Sequence, residues 1–228
     1  MANLFPRWTN ILPLKLALFA GFVATTVVMG FAYYGTPKAT RVGYMPDQPV
    51  PFSHALHVGQ LGMDCRYCHT NVERSGHSNI PSAESCWTCH GHIKSDSPKL
   101  ASVREAVETG EPIQWVKVHE APDYVYFNHA AHVNSGISCV ACHGRVDEME
   151  VVYHAEPHSM AWCLECHRSP EDHLRPIEEV TNLGWTVADH PEVIVDGVPQ
   201  RLTQRELGEM LRSQWRVQPP ESCGACHR

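Results

Sequence analysis

The stretch Cys65-Arg66-Tyr67-Cys68-His69 decides the fold, because it is the first of five copies of the pattern Cys-x-x-Cys-His. We call it motif 1. Motifs 2 to 5 are Cys86-Trp87-Thr88-Cys89-His90, Cys139-Val140-Ala141-Cys142-His143, Cys163-Leu164-Glu165-Cys166-His167 and Cys223-Gly224-Ala225-Cys226-His227. All ten cysteines of the 228-residue chain belong to these motifs. Since this pattern is the covalent attachment signal for c-type haem, the sequence predicts five haem c groups.

The spacing within each motif fits this chemistry. Two thiols add to the two vinyl groups of one haem, so they must lie about one helical turn apart, and the adjacent histidine then reaches the iron as its proximal ligand. The predicted thioether residues are Cys65, Cys68, Cys86, Cys89, Cys139, Cys142, Cys163, Cys166, Cys223 and Cys226. The predicted proximal ligands are His69, His90, His143, His167 and His227.

Two other uses of paired cysteines explain the pattern less well. Zinc takes four ligands, so cysteine pairs would come in an even number, whereas this chain has five. Disulfides would suit an oxidising compartment, but they give no reason for a histidine after every pair.

Histidine is abundant enough to supply a second axial ligand to every iron, because 16 are present and only five are proximal. The element Phe52-Ser53-His54-Ala55-Leu56-His57 recurs as Phe127-Asn128-His129-Ala130-Ala131-His132. Histidines three apart on a helix point to neighbouring positions and can serve two different irons. The predicted distal ligands are His54, His57, His129 and His132.

For the fifth distal position we favour His119, and Met160, His77 and His154 remain as alternatives. Methionine is a known axial ligand of haem iron, although it also fills gaps in cores. His77 and His154 each lie nine residues before a motif cysteine. The histidines predicted not to bind iron are His92, His158, His173 and His190.

An internal repeat organises the chain. The two Phe-x-His-x-x-His elements are offset by 75 residues, motifs 1 and 3 by 74, and motifs 2 and 4 by 77. We therefore predict two equivalent two-haem units, with motif 5 as an appendix. The predicted segments are 1–35 (cytoplasmic tail and anchor), 36–51 (linker), 52–126 (motifs 1 and 2), 127–180 (motifs 3 and 4) and 181–228 (motif 5).

The expected fold class is a multihaem cytochrome c. About 39 residues per haem are too few for an ordinary protein core. We therefore expect mostly irregular chain with short helices wrapped round five haems, and no regular sheet or bundle. One longer helix is predicted near the C-terminus, because Thr203 and Glu206 form a capping box. Apolar residues follow it at helical spacing, and Pro219-Pro220 is expected to end the helix.

The segment Leu16–Tyr34 has 19 residues without a charge, which span roughly 28 Å as a helix. It is either a signal peptide or an uncleaved anchor, and its length favours the anchor. The flanking charges are too similar to orient it. Because haem c is attached outside the cytoplasm, we expect a single-pass bacterial inner-membrane protein whose haem region faces the periplasm.

These features resemble the pentahaem cytochrome subunit of alternative complex III, a bacterial quinol:electron-acceptor oxidoreductase. The likeness covers most of residues 16–228. It rests on the anchor, the unequal motif gaps and the strings FSHALH (52–57), CRYCHTNVE (65–73), NIPSAESCWTCH (79–90), WVKVHEAPDYVYFNHAAH (115–132) and MAWCLECHRSP (160–170).

The resemblance implies a membrane-bound electron-transfer subunit that takes electrons originating on quinol and passes them to a periplasmic acceptor or a terminal oxidase. Implied partners are an iron–sulfur subunit, a monohaem cytochrome and integral membrane subunits. We expect no nucleic-acid partner. Two other functions stay open: a multihaem reductase, which keeps an open iron position, and a stand-alone quinol dehydrogenase.

Carbon monoxide distinguishes the electron-transfer function from the reductase. If every iron has two protein ligands, carbon monoxide should not bind the reduced protein rapidly, because no axial position is open. Absorption spectra recorded after mixing check this. Rapid, stoichiometric binding at one haem would contradict the electron-transfer interpretation for that haem.

Overall fold

The computed structural model describes residues 6–36, 40–189, 193–195 and 197–227. The chain divides into two compact units, Met1–Arg41 and Val42–Arg228. The predicted non-ligand His190 lies outside the described residues.

The first unit is built on one long helix, α1, Leu12–Tyr34, which follows a 3-10 turn at Arg7–Ile11. The helical span Arg7–Tyr34 is long and apolar enough to cross a membrane, and its most apolar part is not buried against the rest of the protein. Helix α1 begins before Leu16, the start of the uncharged segment identified in the sequence. Pro13 can lie in the first turn of α1, because its missing N–H is not needed there.

The second unit consists of short helices joined by irregular chain. Its α-helices are α2 Cys65–Cys68, α3 Ala83–His90, α4 Ala101–Thr109, α5 His129–Val133, α6 Val140–His143, α7 Met160–Arg168, α8 Gln204–Trp215 and α9 Cys223–Cys226. A π-helical turn covers Ala55–Gln60. Shorter 3-10 turns cover Pro98–Leu100, Val146–Glu148, Pro170–Asp172 and Ile177–Glu179.

Regular sheet is confined, within the described residues, to one antiparallel pair. Strand β1 is Val193–Val195 and strand β2 is Val198–Gln200, with Val195 opposite Val198. The expectation of short helices with little sheet is therefore confirmed for this part of the chain.

Two small apolar clusters lie in the second unit. The first is centred on Ile137, Leu174, Trp185, Leu207 and Leu211. The second is centred on Val50, Ala83, Val103 and Ala106. Clusters of this size are small for a unit of this length, as expected where a cofactor forms much of the interior.

Helix α8 has the predicted capping box. The Glu206 backbone N–H donates to Thr203 Oγ1 at 3.3 Å, and the Thr203 backbone N–H donates to Glu206 Oε2 at 2.8 Å. The helix ends at Trp215, where Arg216 adopts the left-handed conformation with φ of 54°. The predicted stop at Pro219-Pro220 was therefore wrong, because Arg216 ends the helix before the prolines are reached.

Helix α8 is held against the turn that contains Glu171. The buried Glu171 carboxylate pairs with Arg212 at 2.8 Å and with Arg205 at 3.1 Å. Gly208 lies against the Glu171 backbone so closely that a Cβ at this position would collide with the Glu171 carbonyl. A glycine in the middle of α8 is thus explained by the close approach of two backbones.

Gly208→Ala should destabilise the protein. In a helix interior alanine is normally more favourable than glycine. Here the added methyl group meets backbone that cannot move aside, and such overpacking costs about 1–3 kcal/mol. Ser213→Ala, at an exposed position of the same helix, is the control. Guanidinium unfolding should give a lower midpoint for Gly208→Ala alone, and an unchanged or higher midpoint would contradict the packing described here.

Candidate functional site

Each Cys-x-x-Cys-His motif folds as a helical turn that places its histidine beside its first cysteine. The backbone N–H of His69 donates to the carbonyl of Cys65 at 2.9 Å, and His143 bonds Cys139 in the same way. Residues four apart on a helix lie on one face. The turn therefore directs a thiol and an imidazole to the same side, as covalent haem attachment requires. None of the ten cysteines is paired with another in a disulfide.

Four of the five proximal imidazoles are oriented by backbone carbonyls. His69 Nδ1 lies 2.8 Å from the carbonyl oxygen of Asn79, and His167 Nδ1 lies 2.7 Å from that of Pro220. A carbonyl only accepts hydrogen bonds, so Nδ1 carries the proton and Nε2 keeps its lone pair for a metal. The remaining bonds of this kind run from His90 to Ile93 at 2.9 Å and from His227 to Tyr124 at 3.2 Å.

Three predicted distal histidines follow the same rule. Each donates from Nδ1 to a backbone carbonyl oxygen: His57 to Ser53 at 2.8 Å, His129 to Gly76 at 2.9 Å and His132 to Asn128 at 2.8 Å. Proteins commonly fix a metal-binding imidazole by such a hydrogen bond from the ring nitrogen that does not bind the metal.

The oriented rings face one another in pairs. Imidazoles on opposite faces of one metal ion, each bonded at about 2 Å, have ring centres about 6 Å apart. Three pairs of a predicted distal with a predicted proximal histidine show this spacing: His57 and His90 at 6.1 Å, His129 and His143 at 6.3 Å, and His132 and His167 at 6.0 Å. The ring of His158 also lies 6.2 Å from that of His143, but its Nε2 is bonded to the Cys142 carbonyl. In the His129 pair the rings are almost parallel, at 5°. Each pair joins a predicted distal ligand to a predicted proximal one, and the spacing fits a metal between them.

A phenylalanine fixes each histidine element in the same way. Phe52 meets His54 edge-on at 4.8 Å and stacks on His57 at 4.4 Å. Phe127 meets His129 edge-on at 4.8 Å and stacks on His132 at 4.5 Å. The sequence repeat is therefore also a repeat of side-chain geometry.

His54 occupies the place equivalent to His129. Its Nδ1 is buried and has no hydrogen-bond partner among the described residues. Burial, followed by the charges of His69 and His57, lowers the pKa of His54 to about 4. At neutral pH this imidazole is uncharged, which is the form that binds metal.

Burial also keeps other histidines of the site neutral. It lowers the pKa of His143 well below its ordinary value, with smaller contributions from neighbouring histidines. It is also the main cause of the lowered pKa of His132.

His119 has the chemistry of a ligand, but it lies beside motif 3. Its Nε2 is buried without a hydrogen-bond partner among the described residues. Burial is the main cause that lowers its pKa to about 4. Its ring is perpendicular to that of His143 at 4.4 Å, which is too close for two ligands on opposite faces of one iron.

The three alternatives for the fifth distal ligand differ in burial. Met160 is 64% exposed and His77 is exposed, whereas His154 is 2% exposed and its ring lies 5.3 Å from that of His119. The predicted non-ligands His92 and His173 are exposed. His158 Nε2 lies 2.9 Å from the Cys142 carbonyl oxygen, so the atom with which most distal histidines bind iron is already engaged.

Motifs 1 and 5 differ from the others. The ring of His227 lies 5.7 Å from that of Tyr124, and within the described ranges neither His227 nor His69 has a second imidazole about 6 Å away. Five motif turns thus fit covalent haem, and ring spacing is consistent with paired axial imidazoles at motifs 2, 3 and 4.

Sequence reasoning did not identify the carbonyl acceptors. Any residue supplies a backbone carbonyl, so its amino-acid type carries no signal. Asn79 is a partial exception, because it has a positive φ of 52° and asparagine tolerates that conformation better than most residues.

Comparisons with known proteins agree with this chemistry. Residues 50–108, which contain motifs 1 and 2, match the family described as cytochrome c7 and related cytochrome c. This region therefore has the character of a multihaem cytochrome c with covalently bound haem. The chain is also similar to the menaquinone reductase multihaem cytochrome c subunit of Nitratidesulfovibrio vulgaris, with 35% identity over 123 residues. The match covers 54% of this chain and 57% of that protein.

His129→Ala should leave the haem count unchanged, because thioether bonds hold the cofactor, but should turn one low-spin iron partly high-spin. The exposed His173→Ala is the matched control and should keep the original spectrum. Pyridine haemochrome assay and electron paramagnetic resonance (EPR) check the two effects. An unchanged low-spin spectrum for His129→Ala would remove His129 from the ligand set.

Proposed function

We propose that this protein is a five-haem c-type cytochrome that transfers electrons within a quinone-linked membrane complex. The observation that carries the proposal is the set of paired imidazoles at motifs 2, 3 and 4, spaced 6.0–6.3 Å between ring centres. Haem iron bound on both axial faces exchanges electrons and offers no position for a substrate.

The proposed axial pairs follow the repeat. They are His54 with His69, His57 with His90, His129 with His143, and His132 with His167. The first pair rests on the repeat, in which His54 is equivalent to His129 and motif 1 to motif 3. The fifth proximal ligand is His227. His119 is the candidate for the remaining distal position by its buried, unpartnered Nε2, although it lies beside motif 3.

The protein's own residues in this scheme hold and tune the cofactors. Backbone carbonyls fix the imidazole rings through Nδ1, and burial excludes the charged imidazolium. The bound haems would supply the one-electron chemistry. Nothing in this arrangement requires a proton donor or a nucleophile.

We further propose a single-pass position in the bacterial inner membrane, with α1 as the anchor and the five motifs on the periplasmic side. The length and apolar character of Arg7–Tyr34 support the anchor. The side follows from the compartment in which haem c is attached.

Membership of an alternative complex III-type assembly is the finer proposal, with an iron–sulfur subunit, a monohaem cytochrome and integral membrane subunits as companions. A second candidate is a menaquinone reductase complex, favoured by the similarity to the Nitratidesulfovibrio subunit. Both functions connect a quinone pool to periplasmic electron carriers, and they differ in the direction of net transfer.

Purification in mild detergent should yield this chain with membrane subunits and about five irons covalently bound as haem. Electrons from a quinol should reduce its haems in the alternative complex III case, whereas a reduced periplasmic cytochrome should drive quinone reduction in the other. Subunit mass spectrometry and haem absorbance measure these results. A chain that carries zinc instead of haem, or that oxidises quinol alone, would contradict the proposal.

A further inference from the structure

The two repeat units dock through one backbone contact that is used twice. The N–H of Ala55 donates to the carbonyl of Met149 at 3.0 Å, and the N–H of Ala130 donates to the carbonyl of Ser75 at 3.1 Å. Ala55 and Ala130 are equivalent in the repeat, as are Ser75 and Met149. Each unit therefore places its histidine element against the segment that follows the first motif of the other unit.

A second contact is also reciprocal. Asn134 Nδ2 donates to the carbonyl of Glu73 at 3.0 Å. At the equivalent place Gly59 lies against the carbonyl of Asp147, where a Cβ would collide. Two exchanged contacts, each made in both directions, indicate that an approximate twofold axis relates the units.

Equivalent parts of two units come together only near such an axis. The Cys65 thiol, in motif 1, donates to the carbonyl of Thr181 at 3.9 Å, and Ser138, next to the first cysteine of motif 3, donates through Oγ to that of Val180 at 2.6 Å. The same short segment therefore contacts the first-cysteine ends of motifs 1 and 3. Motifs 1 and 3 therefore lie at the centre of the paired units. The Gly76 carbonyl, which follows motif 1, orients His129 of the other unit and links the same two sites.

Motifs 2 and 4 lie on either side of this centre. His57 faces His90 of motif 2 at 6.1 Å and shares one helical turn with His54. His132 faces His167 of motif 4 at 6.0 Å and shares α5 with His129. Because neighbouring positions of one turn serve two sites, motif 2 adjoins motif 1 and motif 4 adjoins motif 3.

Motif 5 adjoins motif 4. The carbonyl of Pro220, three residues before Cys223, accepts the hydrogen bond from His167 Nδ1 at 2.7 Å. Arg168 pairs with Glu221 at 3.2 Å. The C-terminal segment is thus fastened directly to the turn that carries motif 4.

From these contacts we infer that the five haem sites lie in the spatial order 2–1–3–4–5, which differs from their order in the sequence. The inference rests on the proposed function, because it assumes that each motif carries a haem. Sites 2 and 5 are then the two ends at which electrons enter and leave, and sites 1, 3 and 4 are internal.

Iron–iron distances in the intact holoprotein test the order. A cryo-EM or crystal structure should show the shortest separations between sites 2 and 1, 1 and 3, 3 and 4, and 4 and 5, with the longest between 2 and 5. The inference would be overturned by a structure in which the distance from site 2 to site 3 is shorter than the distance from site 1 to site 3. The haem count of the same sample tests the proposed function separately.

A pair of variants tests the order in solution. Methionine raises the potential of a histidine-ligated haem, so His129→Met and His57→Met should each let one haem be reduced, and lose its unpaired spin, before the others. EPR at partial reduction should then show altered magnetic coupling at two neighbours for His129→Met, which labels internal site 3. It should show an alteration at one neighbour for His57→Met, which labels terminal site 2.

These variants have clear contrary outcomes. Two altered neighbours for His57→Met, or one for His129→Met, would contradict the order. A variant that loses haem is replaced by the distance measurement on the unmodified protein, which decides the same question.

Discussion

The structure depends on one repeated interaction, the hydrogen bond from a histidine Nδ1–H to a backbone carbonyl. Seven of the predicted axial histidines make it, at 2.7–3.2 Å. The bond fixes the tautomer and the rotation of the ring at once, so that Nε2 points to a defined place. Some acceptors are far from the histidine in sequence, as in the bond from His129 to Gly76, and these bonds also join distant parts of the chain.

This interaction compensates for a small apolar core. The two buried clusters lie around α8 and around α4, and neither includes the paired imidazoles. Around the imidazoles the chain is organised by helical turns, stacked phenylalanines and carbonyl contacts. Such a design leaves the interior between the rings to a large planar cofactor, as the five Cys-x-x-Cys-His motifs of so short a chain predict.

Much of this could be predicted from the sequence, because covalent haem chemistry prescribes residue types at fixed spacing. The motif turns, the Phe-x-His-x-x-His elements and the capping box at Thr203 each depend on contacts within a few residues. The exchange of contacts between the repeat units could not be predicted, because it uses backbone groups of Ser75 and Met149 that any residue would supply. The end of α8 at Arg216 was missed for a related reason, since arginine carries no signal for a left-handed turn.

The bond between His167 and Pro220 has a consequence for biogenesis. The imidazole of motif 4 receives its orienting carbonyl from a segment that is synthesised 53 residues later. Synthesis proceeds from the N-terminus, so motifs 1 to 3 can complete their local scaffolds before the carbonyl that orients motif 4 has been made. A protein truncated before Pro220 would thus lose the geometry of two sites, although only one attachment motif had been removed.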